Sequence, residues 1–198
     1  MNDLKVAVIG CGSWGRNHAR VYSELDDAKL QAVCDKDSTI ASKIGARYRV
    51  DWYTDPVNIL KSDDVDALSI CTPTTTHADI AIAAIESGKH VMVEKPMTST
   101  IEEAKRLIKA AKIEGSCLSV GFVERFNPAV MEAKRMTERG VIGDVILARS
   151  TRVSRRPPRV GDIGVLGFRQ ARLADDRGVR AIQRFAVRTV DGVDDVRF

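Results

Sequence analysis

Aromatic residues are scarce, at 5% of 198 positions, and cysteine occurs only four times. Cys11, Cys34, Cys71 and Cys117 are widely spaced, with no C-x-x-C and no neighbouring histidine pair. That excludes a zinc-finger pattern and a disulfide framework, leaves reduced core thiols, and predicts no metal site. No apolar run approaches the roughly 20 residues of a membrane span, and no signal-peptide pattern is visible, so a cytoplasmic chain without a membrane partner is expected. Lysine is missing from residues 149–198, where twelve Arg face six Asp for a net +6, leaving −2 for the first 148 residues. Arg152, Arg155, Arg156 and Arg159 form a basic cluster there. Aromatic interleaving is poor, and no nucleic-acid partner is expected.

What the chain does have is a glycine loop in a telling place. Gly10-Cys11-Gly12-Ser13-Trp14-Gly15 follows the apolar run Leu4 to Ile9. It precedes a helical pattern at Trp14, His18, Val21, Tyr22 and Leu25. Strand, G-x-G-x-x-G turn and helix start are the parts that hold a pyrophosphate. The first glycine makes the turn, the second admits the phosphates, and the third lets the helix pack on the strand. Gly10, Gly12, Ser13, Trp14 and Gly15 are therefore candidate cofactor contacts.

Asp35 closes a second apolar run, Leu30 to Cys34, and lies 20 residues past Gly15. That is the spacing of the acid that binds adenosine ribose hydroxyls; the bland alternative is a strand-end turn cap. A carboxylate there repels a 2′-phosphate, favouring NAD, although Lys36 beside it leaves NADP open.

Strand and helix patterns alternate onward. Ser38 is read as capping a helix with Ile40 and Ile44, and Asp55-Pro56 as starting another. Val65 to Cys71 reads as a buried strand. Thr76 to Asp79 fits a capping box before a helix ending at Gly88. His90 to Val93 is the next strand. Ser99 to Glu102 fits a further capping box, before a helix with Ile101, Ala104, Ile108 and Ala111 on one face. Cys117 to Val120 is one more strand. This predicts an α/β fold, a doubly wound parallel-sheet Rossmann domain over about residues 1–122. An incomplete α+β second domain over 123–198 follows, with a helix at 124–139 broken by Pro128, a strand from Val145 to Val153, and an atypical tail from 167.

Glu94-Lys95-Pro96 follows the strand at 90–93, and strand C-terminal ends face the ligand crevice in such a sheet. Lys95 there can aim its amine at the nicotinamide end of a cofactor; alone, it reads equally as a surface lysine. Cys71-Thr72-Pro73-Thr74-Thr75-Thr76-His77 ends the preceding strand, with hydroxyls that either touch the cofactor or only cap the helix. His77 is otherwise an exposed first-turn histidine.

Together these residues resemble the Gfo/Idh/MocA family of NAD(P)-dependent oxidoreductases, from Val6 to about Leu166. The specific pieces are the glycine loop, Thr72 to Ala78, and Gly88 to Pro96. Gly121 to Val130 looks closest to archaeal-type members, some of them UDP-N-acetylglucosamine 3-dehydrogenases, and Arg152 to Leu166 is similar to that subgroup too. The resemblance implies hydride transfer between nicotinamide and a hydroxyl carbon of a sugar, nucleotide sugar or inositol. Lys95 would be catalytic, hydrogen-bonding the reacting hydroxyl and moving its proton. Glu94 would orient the strand end, and Thr72, Pro73 and His77 would line the cofactor. Arg125 and Asn127 would meet substrate, with a helix-end salt bridge as the alternative for Arg125.

Family members normally continue past the stretch matching Val165-Leu166 with an Asp and, four residues later, an acid/base His. Here the expected positions fall near Phe168 and Arg172, and neither can do that job. The family's second-domain sheet, its usual route to a homo-oligomer, is largely missing, so oligomerisation is less expected of this chain. Residues 167–198 hold seven Arg and no Lys, whereas all eleven Lys lie in residues 1–148. We read that shift as a truncation or reading-frame change after about Leu166. A catalytically impaired dinucleotide-binding remnant is therefore the competing functional reading.

Overall fold

The structure is a computed structural model. It describes residues 3–145 and, beyond them, the backbone of three strands at 147–155, 171–173 and 180–188. The chain divides into two compact units, Met1–Phe122 and Val123–Phe198.

The first unit is a six-stranded parallel sheet in the order β3-β2-β1-β4-β5-β6. The strands are β1 (Leu4–Ile9), β2 (Ala28–Cys34), β3 (Asp51–Tyr53), β4 (Ala67–Ile70), β5 (His90–Val93) and β6 (Leu118–Val120). Between them run α1 (Ser13–Glu24), α2 (Ser38–Tyr48), the single turn α3 (Val57–Leu60), α4 (His77–Glu86) and α5 (Ile101–Ile113). Central strands of such a sheet are covered on both faces, which is why β1, β2 and β4 are near-continuous apolar runs. Val6, Val8, Val33, Leu68 and Ile70 are all 5% exposed or less. The strand order reverses between β1 and β4, and a doubly wound sheet binds its ligand outside the strand ends at that reversal.

Several helix starts differ from expectation by one residue. Asp37, not Ser38, caps α2, accepting from the amides of Thr39 and Ile40. The capping box of α5 is Thr100 with Glu103, not Ser99 with Glu102. Thr76 gives α4 no side-chain cap; its hydroxyl bonds Pro73 O and Thr72 Oγ1 instead. The buried face of α5 carries Leu107 and Ala111, whereas Ile101 and Ile108 are exposed. Trp14, Val21 and Leu25 of α1 are likewise exposed, and its buried residues are Gly15 and Ala19.

In the second unit a short 3-10 turn (Val123–Phe126) leads to α6 (Pro128–Glu138), capped by Asn127 with Pro128 in the first turn. The backbones of β7 (Leu147–Arg155), β8 (Ala171–Leu173) and β9 (Arg180–Arg188) form an antiparallel sheet ordered β7-β9-β8. Arg156, Arg159 and Phe168 lie outside the described residues, and Arg152, Arg155 and Arg172 fall on strands described by backbone alone. Among the described residues no helix is long and apolar enough to cross a membrane, and no cluster of metal-ligating side chains occurs.

Candidate dinucleotide site

Gly10, at the end of β1, has φ +90, a conformation that disfavours an L side chain. A Cβ there would stand 2.7 Å from the backbone of Cys71 and Thr72. A Cβ on Gly15 would lie 1.7 Å from Gly10 O, so this glycine is what lets α1 start against the loop. Gly12 is different: its Cβ would meet nothing within 4 Å. It is also the cap position of α1 and supplies no side-chain cap. The loop is therefore closed against the protein at Gly10 and Gly15 and open outward at Gly12, where uncapped helix amides favour an anion. These features fit a dinucleotide's pyrophosphate. Ser13 and Trp14 are exposed on the first turn.

Asp35 lies at the C-terminal end of β2 and is half-buried. Its Oδ2 accepts from the Cys11 amide at 2.7 Å and its Oδ1 from the Asp37 amide at 3.0 Å. The carboxylate is thus fixed to the glycine loop with lone pairs left for further donors, such as ribose hydroxyls. Burial, with the Asp35 charge adding, pushes the Cys11 thiol up to about 12. Burial likewise raises Cys34 and Cys71 to about 12. All four cysteines are free; Cys11 and Cys34 are buried and Cys117 is exposed.

At the end of β4, Thr72 is half-buried, and its hydroxyl accepts from that of Thr76 at 2.8 Å. Pro73 is exposed. His77 does not line the surface. It is 1% exposed, and its ring nitrogens lie 2.8 Å from Thr72 O and 3.0 Å from Pro96 O. We correct its place to one layer behind, where it ties the β4 loop to the turn after β5. That also removes the reading of an exposed first-turn histidine.

Glu94 is 7% exposed and Lys95 is exposed. The Lys95–Pro96 peptide is cis. The Lys95 amide donates to Glu94 Oε2 at 3.1 Å, and Lys95 Nζ lies 5.6 Å from the centroid of the Trp14 ring, a cation–π contact. Among the described residues Lys95 makes no ion pair. One polar partner escaped the sequence reading: His18, whose Nε2 lies 3.1 Å from Glu94 Oε1 and whose Nδ1 lies 2.7 Å from Ser69 Oγ. Its position four residues after Trp14 was the available signal, but it reads there as one more member of an apolar stripe.

Arg125 and Asn127 belong to the second unit. Asn127 is occupied locally: Oδ1 accepts from the Ala129 amide and Nδ2 donates to Glu124. It caps α6 and is exposed. A cavity of about 390 Å³ lies between α1 and α2, lined by Arg16, Lys43 and Arg47 over Ile40 and Ile44. Its lining includes neither Asp35 nor Lys95, but its Arg16 donates from Nε to Cys11 O of the glycine loop at 3.2 Å.

Residues 4–122, spanning this sheet and loop, match the GFO_IDH_MocA family, described as an oxidoreductase family with an NAD-binding Rossmann fold. The chain belongs to this family. It is 37% identical over 160 residues to a scyllo-inositol 2-dehydrogenase (NAD(+)) of Bacillus subtilis, covering 79% of this chain and 47% of that protein. A myo-inositol 2-dehydrogenase of Thermotoga maritima is 32% identical, over 83% of this chain and 49% of that protein. Among solved structures, scyllo-inositol dehydrogenase from Lactobacillus casei with bound NAD(H) and scyllo-inositol matches with TM-score 0.72 and 25% identity, over 76% of this chain and 45% of that one. These relatives are inositol dehydrogenases, which corrects the expected likeness to UDP-N-acetylglucosamine 3-dehydrogenases. The chain spans about half the length of the curated relatives it matches.

Proposed function

We propose that this chain binds NAD through Gly10, Gly12, Gly15 and Asp35 and takes part in dehydrogenating a polyol hydroxyl of the inositol class. One observation carries the reading. Glycine loop, ribose-type acid and lysine all stand at the C-terminal ends of adjacent parallel strands, β2, β1, β4 and β5, at the strand-order reversal. The inositol class is supported by the relatives named above, and the general sugar or nucleotide-sugar class by the family.

The bound dinucleotide would supply the hydride acceptor. The chain's own groups do the rest. The open amides at the start of α1 hold the pyrophosphate, and the Asp35 carboxylate accepts ribose hydroxyl protons. That carboxylate opposes a 2′-phosphate, so NAD is favoured over NADP; exposed Lys36 is a neighbouring charge that offsets this. Lys95 holds and moves the proton at the oxygen of the reacting hydroxyl. Thr72 and Pro73 border the site from β4, with His77 fixing their loop. Residues 1–122 are the dinucleotide-binding part of this scheme. Residues 123–198, with Arg125, are its substrate or assembly part. We expect a small-molecule partner, no nucleic acid, and a cytoplasmic setting.

The test is NAD titration by calorimetry, followed by reduced-nicotinamide absorbance with scyllo-inositol, myo-inositol and UDP-N-acetylglucosamine. Binding with turnover of an inositol supports the whole reading. Binding without turnover of any of them leaves a dinucleotide-binding module, which Phe168 and Arg172 near the family's expected Asp and His positions favour. No binding overturns both.

A further inference from the structure

Trp14 and His18 are four residues apart on α1 and so share one helix face. Both reach the same strand end. Trp14 lies under the Lys95 ammonium at 5.6 Å, and His18 Nε2 meets Glu94 Oε1 at 3.1 Å. Glu94 Oε2 in turn accepts the Lys95 amide at 3.1 Å. Ser69, fully buried on β4, meets the other ring nitrogen at 2.7 Å. The side chains of His18 and Glu94 are only 12% and 9% exposed, so these bonds are largely shielded from water. Nε2–H donates to Oε1 and the Lys95 amide donates to Oε2, while Ser69 Oγ can either donate to Nδ1 or accept from it. From the other side, a Cβ on Gly121 would stand 2.8 Å from Glu94 Oε1, so that glycine leaves the space the carboxylate occupies.

We propose that His18 is a positioning residue for Lys95. Through Glu94 it fixes the backbone from which Lys95 extends, while Trp14 on the same helix seats the ammonium. The helix that opens at the dinucleotide loop thereby sets the lysine. This inference rests on Lys95 being the reacting lysine, but its test needs no turnover.

Trp14 is the reporter. The chain has two tryptophans, so Trp52→Phe leaves Trp14 alone. In that background Lys95→Met gives the emission of Trp14 without its cation. His18→Gln retains an N–H at about the reach of Nε2, whereas His18→Asn retains a polar group near Ser69 but falls short of Glu94. The expected result is parent-like emission for Gln and a shift for Asn covering at least roughly half the distance to Lys95→Met. A purely space-filling role predicts the same emission for Gln and Asn, and that result overturns the proposal. If His18→Asn does not fold, Gly121→Ala replaces it, acting on Glu94 without touching α1. The same shift is expected, and unchanged emission overturns the proposal. Failure of the wild-type chain to bind NAD counts against the proposed function and leaves these spectra unaffected, so the two failures are separable.

Discussion

Gly12 and Gly15 sit three residues apart and separate two demands on one loop. A methyl on Gly15 collides with Gly10 O, so Gly15→Ala is expected to cost about 1–3 kcal/mol of stability, read as a lower melting temperature. A methyl on Gly12 meets no protein atom, so Gly12→Ala keeps stability within about 1 kcal/mol. It weakens NAD binding by roughly tenfold or more, about 1.4 kcal/mol, because the methyl stands where the phosphates approach. Asp35→Ser removes the charge that opposes a 2′-phosphate, and the ratio of NADP to NAD affinity is expected to rise roughly tenfold by calorimetry. The buried thiols give a pH prediction. With Cys11, Cys34 and Cys71 raised from 9.0 to about 12, the folded state keeps protons that the unfolded state releases. Their contribution is intact below pH 9 and is lost as pH rises toward 12, so the urea midpoint falls across that range. At pH 8, iodoacetamide labels exposed Cys117 and spares Cys11 and Cys34.

Among the elements, legibility followed burial. β1, β2, β4 and β5 were readable because a strand covered on both faces needs a near-continuous apolar run. β3 was not, since Asp51–Tyr53 is a three-residue edge strand with two exposed residues. The face of α5 was misread in part: Ala111 packs as expected, but Leu107 packs beside it in place of the exposed Ile101 and Ile108. The capping box expected at Ser99 and Glu102 lies one residue later, at Thr100 and Glu103. Thr100→Ala is expected to cost about 1 kcal/mol by losing the capping box with Glu103, measured by thermal unfolding, whereas Ser99→Ala keeps that box. In the site, the places of Gly10, Gly12, Gly15 and Asp35 were legible from spacing along the chain, whereas Lys95 was legible only as a strand-end lysine and took its role from the family resemblance. The His18–Glu94 pair was not, because its members are 76 positions apart. The roles of His77 and Asn127 were equally hidden: each is decided by which carbonyl or amide stands opposite, not by a motif.

For the molecule as a whole, the first unit carries the complete doubly wound sheet, the glycine loop and Lys95. Ligand that binds only the folded form stabilises it by about 2.7 kcal/mol at 100 times its dissociation constant. NAD at that excess is therefore expected to raise the melting temperature of the wild-type chain. The most direct test of the dinucleotide site is one paired calorimetric titration of NAD into the wild-type chain and Gly12→Ala, each of confirmed thermal stability. The site described here predicts saturable binding by wild type and at least roughly tenfold weaker binding by the equally folded variant. Equal affinity for the two, or no binding by wild type at millimolar NAD, would contradict it.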